Sequence, residues 1–383
     1  MLRKELAKLP FSSIGFGCYG LGGAYGNKIN EKQGIDLIQT AFDQGIKVFD
    51  TASSYEGTEE ILGKAIAPFR HEVVVASKVG LVAGNIPDLS KSNVIASCKE
   101  SLKKLGTDYL DIYQIHYDDP KTTVEETVEG LESLKEAGFI RSYGIGHLAK
   151  GRMLEYLKIG DVSTVLSEIS VINNSSYTQL YPLHKKYGFD IMGFSVTGRG
   201  ILSGEINHAT KFLPGDIRAI DPQFKRSKLK SALRRYKKLK EISGDCGVTP
   251  VQLAICWVMQ KEGIEVALIG PTKKEHLLEN SRAAKCSIKK DIIDEIDSFI
   301  RKEGEWLKVA ISEEVSNILD NQLNKDIVTA IKDLIYVLEH CLENNLMEHK
   351  RGAALYKQII AVQKSDKSLN QIQKIKEEIK SSI

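Results

Sequence analysis

Along the first three quarters of the chain, stretches with apolar residues at helical spacing end in glycine and give way at once to short apolar, β-branched runs. Six glycines mark such junctions: Gly45, Gly106, Gly138, Gly160, Gly188 and Gly263. Glycine takes the left-handed conformation that closes a helix at no steric cost, so each is expected to follow a helix and precede a strand. The strands predicted in this way are 46–50, 109–116, 140–145, 162–169, 189–194 and 264–269. Two more, 13–18 and 73–78, complete a set of eight. The second contains Val73-Val74-Val75, apolar on both faces as a doubly covered strand requires. Helix starts carry their own signals: Thr123 with Glu126, and Thr249 with Pro250 and Gln252, stand at capping spacing.

Strict alternation of strand and helix demands a parallel sheet with right-handed crossovers, either closed or open and doubly wound. Eight units favour the closed (β/α)8 barrel of the TIM type. After Gly304 the alternation stops. The remainder is rich in lysine and glutamate, with Ile327, Ala330, Ile331, Leu334, Ile335 and Leu338 at helical spacing. The chain therefore divides into an α/β barrel, 1–303, and a helical C-terminal extension, 304–383. Four readings of the extension stand open: a helical subdomain packed on the barrel, a homo-oligomer contact, a dock for a protein partner, or a substrate lid that includes Trp306.

Composition narrows the class. Lysine and arginine number 53 against 50 aspartates and glutamates, a net charge of +3, far from the basic excess of a nucleic-acid binder. The six cysteines lie apart, with no C-x-x-C pair and no Cys/His cluster at metal-ligand spacing, so no metal site is expected and the thiols read as reduced. Residues 1–10 lack the apolar core of a signal peptide, and no run of about 18 apolar residues occurs. A soluble cytoplasmic protein without membrane contact is expected.

In such a barrel chemistry gathers at the carboxyl ends of the strands. Asp50, Lys78 and His116 close the second, third and fourth predicted strands, and Tyr55 lies in the loop after the second. Taken singly, each has a plain explanation as a helix cap, a solvated cation, a core imidazole or a loop aromatic. Together on one rim they are the residue types of a proton transfer. In their contexts, Phe49-Asp50-Thr51-Ala52-Ser53-Ser54-Tyr55, Ser77-Lys78 and Gln114-Ile115-His116 resemble the catalytic tetrad of the aldo-keto reductase superfamily. Residues 140–145 resemble that family's fifth strand, 193–204 its seventh-strand segment along the cofactor, and 269–280 its adenosine-phosphate loop and following helix. The likeness runs collinearly over residues 10–300.

The resemblance implies NADPH-dependent reduction of a small-molecule aldehyde or ketone. A carbonyl accepting hydride develops negative charge on oxygen and calls for a nearby acid. Tyr55 is implied as that acid, its pKa lowered by Lys78; Asp50 would hold Lys78 and His116 would orient the substrate oxygen. Phe194 would stack on the nicotinamide, where the family often carries tyrosine, and Ser195, Thr197 and Arg199 would approach the pyrophosphate. Gly270, Thr272, Lys273, His276 and Asn280 would surround the adenosine end. Lys273 and Lys274 at a helix start favour a 2′-phosphate and hence NADP, with NAD the alternative. Gly146-His147 departs from the family's Ser-Asn at the nicotinamide carboxamide; His147 stands in for the asparagine or faces the substrate. Glu168 occupies the place of the family's glutamine, with Ser167 an alternative one residue away.

Tyr19, Tyr25, Tyr117 and the segment 208–224 are expected to shape the pocket, which suits a sugar or a secondary-metabolite carbonyl. Two other functions compete: a cofactor-binding regulatory or scaffold barrel with little turnover, and an epimerase or lyase that recycles its cofactor. Two motifs point elsewhere. Gly15-x-Gly17-x-x-Gly20 has Rossmann spacing, but a loop rather than a helix is expected after it. Tyr181-x-x-x-Lys185 imitates a short-chain dehydrogenase pair, but Pro182 suggests the start of a surface helix.

Overall fold

The computed structural model describes residues 12–82, 86–323, 326–344, 346–363 and 369–383. Eight parallel strands lie in the predicted runs: β1 (Ile14–Gly17), β2 (Val48–Asp50), β3 (Val74–Val79), β4 (Leu110–Ile115), β5 (Ile140–Gly146), β6 (Val162–Glu168), β7 (Asp190–Phe194) and β8 (Ile264–Ile269). They close in the order β1-β8-β7-β6-β5-β4-β3-β2, the expected (β/α)8 barrel, with Gly15 opposite both Val48 and Leu268 at the seam. The helices between strands are α1 (Glu31–Asp43), α2 (Thr58–Ile66), α3 (Lys91–Leu105), α4 (Val124–Glu136), α5 (Lys150–Ile159) and α6 (Ser175–Tyr187). α7 (Arg226–Cys246) and α8 (Pro250–Met259) precede β8, and α9 (Lys274–Ser281) follows it. The barrel interior is filled by Val48, Val74, Ala76, Ile112, Leu166, Met192, Val266 and Leu268, so it is a packed core rather than a pore.

Five of the six junction glycines take positive φ, between 62° and 87°, as a helix end requires. Gly160 does not: its φ is −101°. A Cβ at that position would stand 3.0 Å from the Tyr143 hydroxyl, so a side chain there would crowd that group although the backbone handedness admits one. The Thr249–Gln252 capping box is complete, whereas Thr123 accepts from the Glu126 N–H and the Glu126 carboxylate accepts instead from the Lys91 N–H. A second complete box, Asn30 with Gln33, starts α1. After Gly17 the chain makes a short 3-10 turn, Cys18–Gly22, which leaves the Rossmann spacing without its helix. Pro182 lies inside α6, not at its start, and Tyr181 and Lys185 both bond Glu262.

The chain forms two compact units. The barrel comprises residues up to Asn207 together with Tyr236–Asp294; the other unit joins His208–Arg235 to Glu295–Ile383. The sequence pattern places the boundary at 303, and by itself shows nothing of the earlier segment's membership. The second unit takes the later part of α10 (Lys290–Asp320) with α11 (Ile327–Glu343), α12 (His349–Gln363) and α13 (Leu369–Lys380). Ala330, Leu334, Val337, Leu355, Ile359 and Ile379 centre its core. The basic start of α7 is tied to acids far along the chain: Arg226 to Asp333 at 2.5 Å, Lys228 to Glu339 and Arg234 to Glu303. Trp306, read as a pocket lid, carries the Arg234 guanidinium 3.5 Å from its ring centroid within this unit. Among the described residues no single helix is long and apolar enough to cross a membrane, and no group of three metal-ligating side chains gathers.

Candidate active site

In a strand, residues two apart leave the sheet on the same face. Two positions beyond the interior residues Val48, Ala76, Leu166, Met192 and Leu268 come Asp50, Lys78, Glu168, Phe194 and Gly270. Gly146 follows Gly144 in the same phase, and His116 lies four beyond Ile112. The period that packs the barrel thus sets a ring of functional groups directly above its core. On β6, Glu168 pairs in register with Phe194 and shares its phase, whereas Ser167 pairs with Gly193.

Lys78 is wholly buried, and its Nζ donates to Asp50 Oδ1 at 2.6 Å and to the Thr51 carbonyl at 2.7 Å. Burial raises the Asp50 carboxyl above its ordinary range, an effect that the Lys78 ammonium opposes. Asp50 Oδ2 is buried without a hydrogen-bond partner among the described residues. The loop presenting Tyr55 is braced by its own turn: the Tyr55 N–H donates to Ala52, the Thr58 N–H and hydroxyl to the Tyr55 carbonyl, and Thr51 and Thr58 share a 2.7 Å hydroxyl contact. The Tyr55 ring lies 4.9 Å from Tyr19 and 5.6 Å from His116, with Lys78 Nζ 5.0 Å from its centroid.

The expectation that Lys78 lowers the Tyr55 pKa is not what this structure shows. Burial raises it well above its ordinary value, and the Asp50 carboxylate adds to the rise. The Tyr117, Tyr19 and Cys18 side chains act in the same sense. His116 is buried and neutral: burial first, then the Lys78 charge and His147, push its pKa down to about 2. Its backbone N–H extends the ladder to the Val79 carbonyl at 2.7 Å, and its Nδ1 lies 3.3 Å from Ser54 Oγ. Ser54 was not singled out in the sequence; its only signal there is its place beside Tyr55.

On the other side of the ring, a cavity of about 320 Å³ is lined by His147, Ser167, Glu168, Phe194 and Arg199, with Met153 from α5 and Leu180 from α6. Arg199 Nη2 donates to Glu168 Oε2 at 2.6 Å. The His147 ring opens on the cavity 5.2 Å from Phe194 and 5.5 Å from His116. Protein packed around it, with the Lys78 and Arg199 charges, lowers its pKa to about 4. The remaining predicted contacts form a second group. Thr272 packs on Gly20, Lys273 is the exposed N-cap of α9, His276 lies 3.3 Å from Glu205, and Asn280 is buried. Lys274 is paired with Asp36 at 3.0 Å.

A model of the Aldo/keto reductase family matches residues 13–301. The chain belongs to this family. The aldo-keto reductase YhdN of Bacillus subtilis (strain 168) is 30% identical over 274 residues, covering 70% of this chain and 83% of the relative. A probable voltage-gated potassium channel subunit beta of Arabidopsis thaliana is 28% identical over 305 residues, covering 74% and 91%. An aldo/keto reductase from Klebsiella pneumoniae, solved in complex with NADP and acetate, shares the fold with a TM-score of 0.62 at 23% identity, covering 76% of this chain and 92% of that one. As an aldo/keto reductase the protein is an NAD(P)H-dependent oxidoreductase acting on carbonyl compounds.

The residues present suit a nicotinamide nucleotide. Phe194 offers a flat apolar face above the core, and Arg199 and Lys273 supply cations for phosphate. After β7 the backbone takes positive φ at Ser195 (55°), Gly198 (60°), Arg199 (52°) and Gly200 (93°), a run of tight turns in which the Gly198 N–H donates to the Ser195 carbonyl and the Gly200 N–H to the Thr197 carbonyl. His147 also takes positive φ, 50°. Histidine tolerates that region better than most residues, so His147 suits the left-handed backbone it adopts.

Proposed function

We propose that the protein reduces an aldehyde or ketone to the alcohol with NADPH, using Tyr55 as general acid. The observation that carries this reading is the single cluster of Lys78, bonded to Asp50, with the Tyr55 ring 5.0 Å from its ammonium and His116 against that ring. The raised Tyr55 pKa keeps the phenol protonated until a stronger base, the developing alkoxide, appears beside it. As the proton leaves the phenol oxygen, Lys78 stabilises the negative charge left on Tyr55, and Asp50 keeps the ammonium in place. Neutral His116, its Nδ1 beside Ser54, donates from Nε2 to the substrate oxygen when Nδ1 accepts the serine proton. Bound NADPH supplies the hydride.

Phe194 is assigned to the nicotinamide face, Gly146, His147 and Glu168 to its amide side, and Ser195, Thr197 and Arg199 to the nucleotide's course. Gly270, Thr272, Lys273, His276 and Asn280 are assigned to its adenosine end, with Lys273 favouring the 2′-phosphate. Tyr19 and Tyr117, exposed at the rim beside Tyr55 and His116, suit a sugar or an aromatic carbonyl. A second reading draws on the potassium channel subunit and the added helical unit: a cofactor-bearing barrel that serves a protein partner.

The test is to mix the purified protein with NADPH and a panel of aldehydes and ketones and follow the reduced-nicotinamide absorbance. Turnover that disappears in Tyr55→Phe supports the proposal. NADPH binding with no carbonyl turned over favours the partner-serving barrel.

A further inference from the structure

Gln252, Cys256 and Gln260 follow one another at intervals of four residues, so they form one stripe along α8 and its C-cap. Each reaches the chain that follows the last barrel strand. Gln252 Nε2 donates to the Glu279 carbonyl at 2.9 Å, the Cys256 thiol to the Ala283 carbonyl at 3.5 Å, and Gln260 Nε2 to the Ile288 carbonyl at 3.1 Å. A thiol is a weak donor, so the middle tie adds little as a hydrogen bond. What sets it apart is a second thiol. The short 3-10 turn Arg282–Lys285 is closed by the Cys286 N–H, which donates to the same Ala283 carbonyl at 3.1 Å. The Cys286 thiol turns back to the Arg282 carbonyl at 3.4 Å. Both sulfurs are thus directed at adjoining carbonyls of one turn, and the two thiols hydrogen-bond each other. Cys256 is 1% exposed, whereas Cys286 is partly open to solvent.

We propose that Cys256 and Cys286 are an oxidation site, a thiol pair that closes to an intramolecular disulfide when hydrogen peroxide reaches Cys286. The order of events follows from burial. Burial first, and then the neighbouring Cys286, push the Cys256 thiol up to about 12, so it stays protonated and out of reach until its neighbour has reacted. The Cys286 sulfur attacks one peroxide oxygen. The O–O bond breaks, the second oxygen leaves as water with the thiol proton, and Cys286 becomes a sulfenic acid. The Cys256 sulfur then displaces the sulfenic oxygen: the S–S bond forms, the S–O bond breaks, and the oxygen leaves as a second water with the Cys256 proton. In all, the two thiols lose two electrons and one hydrogen peroxide is reduced to two waters. Because the second thiol is already in contact, closure competes with further oxidation of the sulfenic acid, which thiols do not reverse. The disulfide encloses β8 and α9 in one covalent loop and turns the weakest tie of the stripe into its strongest. Exchange with an external thiol reopens it.

The experiment treats the full-length protein, first reduced and desalted, with hydrogen peroxide, alkylates the remaining thiols and maps the digest by mass spectrometry without reduction. Trypsin leaves Cys246 and Cys256 together in the peptide 241–261, so Cys246→Ser is mapped beside the wild type. Both should yield a cross-link between Cys256 and Cys286. In the wild type two of the six thiols should be lost to titration in denaturant and regained after dithiothreitol. In Cys256→Ser, Cys286 should be trapped by dimedone as the sulfenic acid and pass on to the sulfinic acid faster than in the wild type. In Cys286→Ser, Cys256 should remain a thiol. Melting of each reduced variant shows that it is folded, and the wild-type map decides the matter if one is not. Alkylation of both Cys256 and Cys286 after peroxide overturns the proposal. So does a cross-link from Cys286 to Cys246 or to a second copy of the chain, and so does equal conversion of Cys286 to the sulfinic acid in the wild type and in Cys256→Ser.

Discussion

Replacing Lys78 by methionine removes the buried ammonium while keeping much of its volume. With Nζ 5.0 Å from the Tyr55 ring centroid, and taking that as the distance over which the charge acts, its interaction with a full phenolate is about 3 kcal/mol at an effective dielectric of about 20. Lys78 is wholly buried, so solvent screening does not reduce this figure much. The turnover number should fall by roughly two to three powers of ten, with the affinity for NADPH retained. The variant also leaves Asp50 buried without its cation, and the carboxyl, already raised by burial, rises further. A carboxyl with a raised folded pKa holds its proton in the native state after the unfolded chain has lost it. Stability is therefore fully present below the unfolded value of about 4 and declines as pH rises towards the folded one. Melting of Lys78→Met should thus fall with rising pH more steeply than that of the wild type, and adding Asp50→Asn should flatten it. Stopped-flow and steady-state NADPH oxidation measure the first effect, and thermal melts across pH the second. A Lys78→Met enzyme within about fivefold of wild-type turnover would refute the electrostatic role assigned here.

Tyr55→Phe should bind NADPH normally and lose about 100- to 10,000-fold in turnover, and the double variant with Lys78→Met should be little worse than either single one; additive losses would show that the two act separately. Because the His116 pKa is held down to about 2, turnover should show no histidine titration between about pH 5 and 8, and an inflection near 6.5 that vanishes in His116→Gln would contradict the neutral assignment. Lys273→Glu should narrow the preference for NADPH over NADH, measured as the ratio of dissociation constants, whereas an unchanged ratio places the 2′-phosphate elsewhere. Gly63→Ala should lower the melting temperature severely, by about 3 kcal/mol or more in stability, since its Cβ would fall 2.3 Å from the Leu105 carbonyl oxygen; wild-type melting would show that α2 and α3 can separate at little cost.

The strands were legible because a parallel barrel covers both faces, which leaves continuous apolar runs between glycine-closed helices. The cluster of Asp50, Tyr55, Lys78 and His116 was legible because each of them stands at or just past a strand end. The phase of Glu168 was within reach too, since the two-residue period through Leu166 sets it beside Phe194. Gly160 closes a helix before a strand as read but without the positive φ, because a glycine crowded by the Tyr143 hydroxyl looks the same in sequence as one required by backbone handedness. The Tyr55 pKa could not be read from residue types, since it depends on how deeply the loop is packed and on the nearby Asp50 carboxylate. Membership of 208–235 in the helical unit was hidden for a related reason. Its ties, such as Arg226 to Asp333, join positions more than a hundred residues apart, and no local period encodes them.

That discontinuity bears on how the chain is made. During synthesis 208–235 emerges before the last barrel strand, yet Glu303, Asp333 and Glu339, the acids that pair with its cations, are translated only after it. The last quarter of the barrel is thus a closed loop between two segments of one compact unit, and the first segment must wait for the second. A nascent chain released at about residue 300 would carry 208–235 without most of the unit to which it belongs. Ribosome stalling or premature termination in this interval should therefore yield aggregates that recruit chaperones, rather than a smaller working enzyme.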